Sequence, residues 1–326
     1  MIGGTTRGLA GVALAAAAAC SGRASAPVGA RLGPAIAAAI AAADAAREPW
    51  RCAAPDGPGV VSETLTIGAH AWQLAGHVMK LDAPGELAIG VIADAAGNAP
   101  ATLAALGRLR GQLARVNLVI ALGGMGTTRP ELDAAFAVLA DRATWPLVAM
   151  PGDLESVDAL SDAVAAARQR GAAVLDGRLV QRIELASATI ALVPGARTAS
   201  RLVAGDRGCR YGTADVSAAL ADLTPRGGLR ILASAEAPRA PVREPPSGEL
   251  ALTAGAGQQI DVALHGPTSD AASPARTGGR DGTAIPLTPG SSAATPRLPG
   301  PGRRPTAGIL TVRGTTWTWQ PIADVK

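Results

Sequence analysis

Acidic residues follow two of the apolar strands that the sequence predicts, at the points where a parallel sheet carries its chemistry. Asp94 comes directly after an apolar run at 87–93, and Asp153 and Glu155 follow another at 146–150. His265 follows a third run at 260–264. Ligands and reacting groups in open α/β sheets gather at the carboxyl ends of the strands. Carboxylates and an imidazole at that edge could bind a divalent cation or move a proton.

The elements that would position these residues alternate regularly along the first half of the chain. Leucines at 103, 106, 109 and 113 share one face of a predicted helix, and Ser156 is a predicted N-cap. The predicted order is strand 87–93, helix 99–116, strand 117–123, helix 130–144, strand 146–150 and helix 156–170. This βαβ rhythm predicts a parallel sheet that helices cover on both faces.

The rest of the chain is richer in predicted strands. Two strands flank Gly68 before the alternating region, and a hairpin with its turn at Gly314 ends the chain. Between them we predict strands at 172–175, 180–185, 188–193, 229–233 and 260–264, with a helix at 213–223. Two stretches rich in Pro, Gly and Ser, 238–257 and 267–306, are predicted to be surface loops or disordered insertions.

Short segments after the predicted strands form an ordered set. They read A-D-A-A-G-N at 93–98, L-G-G-M-G at 122–126, P-G-D-L-E at 151–155, S-A-E-A-P at 234–238 and L-H-G-P-T-S at 264–269, with P-G-S at 289–291 and P-R at 296–297. This set resembles the calcineurin-like metallophosphoesterases, whose five blocks are D-x-H, G-D-x-x-D, G-N-H-[DE], an isolated H and G-H-x-H. The resemblance covers residue 87 to the end of the chain.

The resemblance implies a metallophosphoesterase-like αββα sandwich, an α/β fold with mixed, largely parallel β-sheets. Members of that family hydrolyse phosphoesters with a hydroxide activated by two metal ions that one Asp bridges. Asp94 matches the Asp of the first block, and Gly152 and Glu155 match the third block. Asp153 stands in place of the Asn of that third block.

Most of the metal ligands that the family uses are replaced in this chain. Gly124 stands where the bridging Asp would be, and the positions of the family's histidines hold Ala96, Leu154, Ala235, Pro267 and Ser269. Without the bridging carboxylate and the imidazoles, two divalent ions lack charge balance and fixed geometry. We therefore expect no cofactor and a binding or structural module in place of an enzyme.

An alternative is a metal-dependent phosphoesterase with a reduced site. Asp94 and Asp153 would hold a single Mn, Fe or Zn ion, with Glu155 or His265 as a further ligand. A third hypothesis is a binder of small anions, because the amides of residues 123–126 follow a strand and could cradle a negative charge. A tight strand-to-helix connection is the structural alternative for that glycine-rich loop.

The amino terminus predicts export and lipid attachment. Residues 1–19 hold one charge, Arg7, followed by an apolar run that is too short to cross a bilayer but fits a signal peptide. Small residues before Cys20 resemble the bacterial lipobox, so we expect a lipid on Cys20 and a protein of the cell envelope, on the periplasmic side or the cell surface. An ordinary secretory signal is the alternative. Residues 20–47 are then a tether with a short Ala-rich helix, and 48–326 the phosphoesterase-like domain.

Two cysteines remain once Cys20 carries lipid. In an oxidising compartment Cys52 and Cys209 could form a disulfide, and two buried thiols are the alternative. His70 and His77 are seven residues apart, which on one continuous strand would face them to opposite sides, so we expect no ligand pair and surface or half-buried structural roles for the histidines.

Composition excludes one further class of partner. The net charge of +4 comes from 30 basic and 26 acidic residues without a basic cluster, and aromatic residues make up 2% of the chain. Nucleic-acid platforms need clustered cations or stacking rings. We therefore expect no nucleic acid; the expected partners are the membrane, through the lipid on Cys20, and an unknown protein or small anionic ligand.

Overall fold

The computed structural model describes residues 52, 57, 59–83, 85–95, 97–197, 202–221, 223, 228–239, 249–251, 260–265, 277–278, 284–285 and 306–322. The chain divides into two compact units, Met1–Arg47 and Glu48–Lys326, and all of these residues belong to the second. The predicted signal peptide, Cys20, the tether and its helix lie outside the described residues.

The strands in chain order are β1 (Val60–Ile67), β2 (His70–Gly76), β3 (Val78–Leu81), β4 (Leu87–Ala93), β5 (Leu118–Ala121), β6 (Leu147–Ala149), β7 (Val174–Asp176), β8 (Arg182–Leu185), β9 (Ala188–Val193), β10 (Leu229–Ser234), β11 (Ala237–Arg239), β12 (Glu249–Ala251), β13 (Val262–His265), β14 (Thr277–Gly278), β15 (Ala284–Ile285), β16 (Thr306–Arg313) and β17 (Thr316–Ile322). The α-helices are α1 (Pro100–Gln112), α2 (Arg129–Ala140), α3 (Val157–Gln169) and α4 (Thr213–Ala221), and Gly205–Arg207 forms a 3₁₀ turn.

One sheet has six strands in the order β17-β16-β4-β5-β6-β7. Strands β4 to β7 are parallel, and β16 pairs antiparallel with β4 and with β17. The other sheet has seven strands in the order β1-β2-β3-β8-β9-β10-β13. In that sheet β9, β10 and β13 are parallel, whereas β1, β2 and β3 form an antiparallel meander. Both sheets are therefore mixed.

The two sheets face each other across one apolar core. Leu87, Ile89 and Val91 of β4 belong to the same buried cluster as Ile190 of β9 and Ile231 of β10. A second cluster joins the other face of the six-stranded sheet to α1, α2 and α3, and a third joins the other face of the seven-stranded sheet to α4. The layers are helix, sheet, sheet and helix. The predicted α/β αββα sandwich is confirmed.

Local sequence explains where the helices begin and how closely they lie on the sheet. Ser156 caps α3 by accepting a hydrogen bond from the Ala159 amide, and Pro100 opens α1. A β-carbon on Gly90 would stand 2.9 Å from Leu113 Cδ2, so glycine at this position of β4 lets the end of α1 approach the sheet.

The structure departs from the predicted elements in three places. Strand β3 was not predicted, because four residues after a turn give too short an apolar pattern. Within the two predicted insertions, short strands occur: β12 pairs with β11, and β14 pairs with β15. No helix in the described part of the chain is both long and apolar enough to cross a membrane.

Candidate functional site

The loops that follow β4, β5 and β6 touch each other at the carboxyl edge of the six-stranded sheet. The Asp94 amide donates a hydrogen bond to the Gly123 carbonyl at 3.2 Å. A β-carbon on Gly123 would lie 2.6 Å from the Gly152 Cα, so the second and third loops are in backbone contact. The fold thus brings together the three loops that hold Asp94, Gly124 and Asp153.

Gly124 has no room for a side chain. A β-carbon built on it would stand 2.4 Å from Asp94 Oδ1 and 2.9 Å from Asp94 Cα. Gly124 also has φ +73°, and Asp94 has φ +55°, which is uncommon for a residue other than glycine. The backbone of the first loop occupies the space that a carboxylate at position 124 would need.

Glu155 is fully buried and binds the backbone of two loops. Its Oε1 accepts a hydrogen bond from the Met125 amide at 2.5 Å, and its Oε2 accepts one from the Gly152 amide at 2.8 Å. Burial raises the pKa of Glu155; the amide hydrogen bonds oppose this shift, and the charge of Asp153 adds to it. The side chain therefore joins the loops after β5 and β6.

The glycine-rich loop at 123–126 already has an anionic ligand from its own chain. The sequence predicted that its amides could cradle an anion. In the structure the Met125 amide binds the Glu155 carboxylate. An external anion at that amide would have to displace a buried internal one.

The strand-end loops on this side are closed to solvent. Residues 91–95, 121–126 and 150–156 are all buried. Asp94 is 8% exposed and Asp153 is 7% exposed. A hydrolytic site must admit substrate and water, whereas these carboxylates lie under other residues.

The seven-stranded sheet contributes a second buried glutamate. The hydroxyl of Tyr211 donates to the Glu236 carboxylate, and the Arg197 amide donates to Glu236 Oε2 at 3.2 Å. Ser234 Oγ donates to the backbone carbonyl of Glu236 at 2.5 Å. Glu236 therefore ties the loop after β10 to the loop after β9 and to the approach to α4.

The three histidines have different environments. His265 ends β13, pairs in register with Ser234 of β10 and is 3% exposed, so the expectation of a surface or half-buried residue is wrong for it. Its position at the end of a strand within the sandwich buries it. His77 is not on the same strand as His70, because β2 ends at Gly76 with φ +56°.

His70 and His77 each join the backbone or an amide. The Asn117 side-chain amide donates to His70 Nε2 at 3.1 Å, and the ring nitrogens of His77 lie 3.0 Å from the carbonyl oxygens of Leu179 and Gly57. Asn117 Oδ1 accepts from the Ala88 amide, which sets the direction of its NH₂ group toward His70. These contacts are structural.

A segment that we name the rim strap, residues 202–211, lies against the loop after β6. The Val203 amide donates to the Asp153 carbonyl at 2.8 Å, and Gly208 forms an antiparallel bridge with Ser156. On its other side, the Ala196 amide donates to the Cys209 carbonyl at 2.9 Å. The rim strap thus connects loops that belong to the two sheets.

A disulfide joins the rim strap to the beginning of the domain. Cys52 and Cys209 are bonded, with their Cα atoms 5.4 Å apart, and the Cys52 amide donates to the Arg210 carbonyl at 3.1 Å. Of the two alternatives that the sequence left open for this pair, the structure has the disulfide.

The donor set does not fit a dinuclear metal centre. Among the residues that the structure describes, no group of three or more His, Cys, Asp or Glu side chains is placed to hold a metal ion. The position of the bridging carboxylate is filled by backbone, and Glu155 is bound to amides. Ala96, Pro267 and Ser269 lie outside the described residues.

No family model matches the chain, and no curated protein matches it. Solved structures give weak likenesses of fold. The purple acid phosphatase PPD1 from yellow lupin (Lupinus luteus) seeds has a TM-score of 0.45 at 11% identity, over 78% of this chain and 57% of that one. TT1561 of Thermus thermophilus has 0.36 at 12%, over 56% and 82%, and GAP50, the anchor in the inner membrane complex of Plasmodium, has 0.38 at 8%, over 74% and 90%. Such likenesses say nothing about what this chain does.

Sequence reasoning missed the structural role of two side chains. It matched Glu155 to a family block but considered it only as a ligand, and it gave Tyr211 no role. The available signals were the glycine three residues before Glu155, which allows a carboxylate to reach back to a loop amide, and the fact that Tyr211 is the one tyrosine of the chain.

Proposed function

We propose that this protein is a lipoprotein of the cell envelope whose phosphoesterase-like domain binds a partner and does not catalyse hydrolysis. The lipid would be on Cys20 after removal of residues 1–19, and the tether would hold the domain at the membrane. The partner would be a protein or a small anionic ligand.

The contact between Gly124 and Asp94 carries the non-catalytic part of the proposal. Dinuclear hydrolysis needs a carboxylate between the two metal ions to balance their charge and fix their separation. Here that space holds the backbone of Asp94, since a β-carbon on Gly124 would be 2.4 Å from Asp94 Oδ1. The departure is therefore larger than one missing side chain.

The environment of Glu155 supports the same proposal. Both of its carboxylate oxygens accept hydrogen bonds from backbone amides, which hold the loops after β5 and β6 together without a metal. The alternative, a reduced single-metal site at Asp94 and Asp153 with Glu155 or His265, would require Glu155 to leave these amides or His265 to leave its buried position.

Metal content by elemental mass spectrometry tests the two possibilities. The protein from Ser21 onward would be purified without chelator and incubated with manganese, iron or zinc, beside an Asp94→Ala variant. We expect no stoichiometric metal in either protein. One equivalent of metal that disappears in Asp94→Ala would contradict the proposal and support the single-metal phosphoesterase.

The lipid is tested separately, by mass spectrometry of the protein expressed with its own amino terminus in bacteria. We expect a lipid-modified Cys20 peptide and a membrane-bound protein. A Cys20→Ala variant should be unmodified. An unmodified, unanchored wild-type protein would contradict the envelope part of the proposal and leave the site argument intact.

A further inference from the structure

We propose that the Cys52–Cys209 disulfide is a redox-controlled fastener of the rim strap, and that its reduction releases the rim strap from the loop that holds Asp153 and Glu155. This inference goes beyond the proposed function, because it concerns access to the loop and does not depend on whether the domain has lost metal chemistry.

The rim strap covers the loop after β6 at two separate points. The Val203 amide binds the Asp153 carbonyl at 2.8 Å, and Gly208 bridges Ser156 further along the strap. Residues 151–156 are all buried, although loops of this kind run over protein surfaces. Moving the rim strap would therefore expose the backbone of residues 153–156.

Few interactions besides the disulfide are expected to be strong in the rim strap. It has one 3₁₀ turn, Gly205–Arg207, and no α-helix or long strand among its residues, all of which the structure describes. Val203 is 62% exposed, so its side chain contributes little to packing. Segments with few buried apolar contacts open at lower free energy than core strands, and a covalent link between Cys209 and Cys52 opposes such opening.

The two sulfur atoms differ in how easily a reductant can reach them. Cys209 is 0% exposed, whereas Cys52 is partly exposed. A thiolate of a dithiol reductant would attack Cys52 Sγ, form a mixed disulfide there and release Cys209 as a thiol. The second thiol of the reductant would then displace Cys52, so that two electrons and two protons pass to the protein and the reductant ends as a cyclic disulfide.

Release would also separate the site loops from the amino-terminal segment. The Cys52 amide binds the Arg210 carbonyl, so this segment and the rim strap meet at a covalent bond and a backbone hydrogen bond. After reduction the covalent bond is lost, and a backbone hydrogen bond alone is a weak tie beside it. We expect the rim strap to leave while the sheets stay folded.

Hydrogen exchange measured by mass spectrometry tests this on the mature protein with and without a dithiol reductant. We expect exchange in residues 151–156 and 202–211 to rise at least about tenfold on reduction, with strands β4 to β6 unchanged. Unchanged exchange in both segments would overturn the proposal. So would an equal rise in the β4 to β6 strands, because the disulfide would then staple the whole domain.

Alkylation provides a second readout that a purely structural disulfide would not give. After reduction and brief treatment with iodoacetamide, we expect both Cys52 and Cys209 to be labelled. Labelling of Cys52 alone would show that Cys209 stays packed and would overturn the release.

A Cys52→Ser variant should show the released exchange pattern without reductant and no further change with it. An unfolded Cys52→Ser chain would count against the proposal, since a local fastener leaves the sheets folded. A Gly111→Ala variant, altered in α1 away from the rim strap, should keep the response of the wild type to the reductant.

Discussion

Gly124 and Asp94 exclude a side chain from each other's neighbourhood: the β-carbon position of Gly124 lies 2.4 Å from Asp94 Oδ1. The loops after β4 and β5 are therefore fitted to each other as backbone on backbone. A metal-bridging carboxylate could enter only if the Asp94 loop moved.

Restoring the family's residue at position 124 should harm the protein without restoring metal binding. We expect Gly124→Asp and Gly124→Ala each to lower the free energy of unfolding by at least about 2 kcal/mol, because of the clash and the positive φ. Urea unfolding checks the loss, and elemental mass spectrometry checks the metal.

The matched control is Gly111→Ala near the end of α1. A β-carbon on Gly111 meets nothing within 4 Å, so we expect a gain of about 0.5–1 kcal/mol from helix propensity. A Gly124→Asp protein that is as stable as the wild type and binds two metal ions would refute our account of the site.

Removing the charge of Glu155 should loosen two loops at once. A glutamine has one acceptor oxygen, so in Glu155→Gln the NH₂ group would face the amide of Met125 or of Gly152. We expect a loss of about 1–3 kcal/mol of unfolding free energy. Glu86→Gln, at a surface glutamate paired with Arg313, should change stability by less than about 1 kcal/mol. Equal effects of the two substitutions would contradict the role of Glu155.

Glu155 should also give the protein a characteristic dependence on pH. Burial raises its pKa above the ordinary value of 4.5, so the folded protein keeps a proton on Glu155 at pH values where the unfolded chain has lost it. Its contribution to stability is complete below the unfolded pKa and is lost as pH rises through the folded pKa.

The advantage in unfolding free energy of the wild type over Glu155→Gln should therefore shrink as pH rises from about 4 to about 8. Urea unfolding of both proteins across this range measures it. An advantage that grows with pH would mean that the amide hydrogen bonds outweigh burial and that the pKa is lowered.

Tyr211 should be a strong contributor among the surroundings of Glu236. We expect Tyr211→Phe to cost about 1–3 kcal/mol, because it removes the hydroxyl that donates to a buried carboxylate. Thr318→Val, which removes an exposed hydroxyl in β17, should cost less than about 0.5 kcal/mol. Chemical denaturation measures both. A neutral Tyr211→Phe would show that this hydroxyl does not hold the Glu236 loop.

Periodic, buried elements were predictable from local sequence. The leucines of α1, the Ser156 cap of α3 and the Gly314 hairpin all appear where their patterns placed them. Local patterns failed at β3, which is short and pairs with β8 from far along the chain. Contacts of that range are set by packing between sheets and leave little trace in four residues.

At the site, the sequence by itself determined which side chains are present: Asp94, Asp153 and Glu155 remain, and Gly124 stands where a carboxylate would bridge metals. The order of its blocks also indicated the αββα sandwich. Only the tertiary structure decided how these residues are used. Whether Gly124 has space for a side chain depends on the backbone of another loop, and whether Glu155 binds amides or a metal depends on where Met125 lies. Residue types fix the available chemistry, whereas distances between loops from different strands fix which part of it the protein can perform.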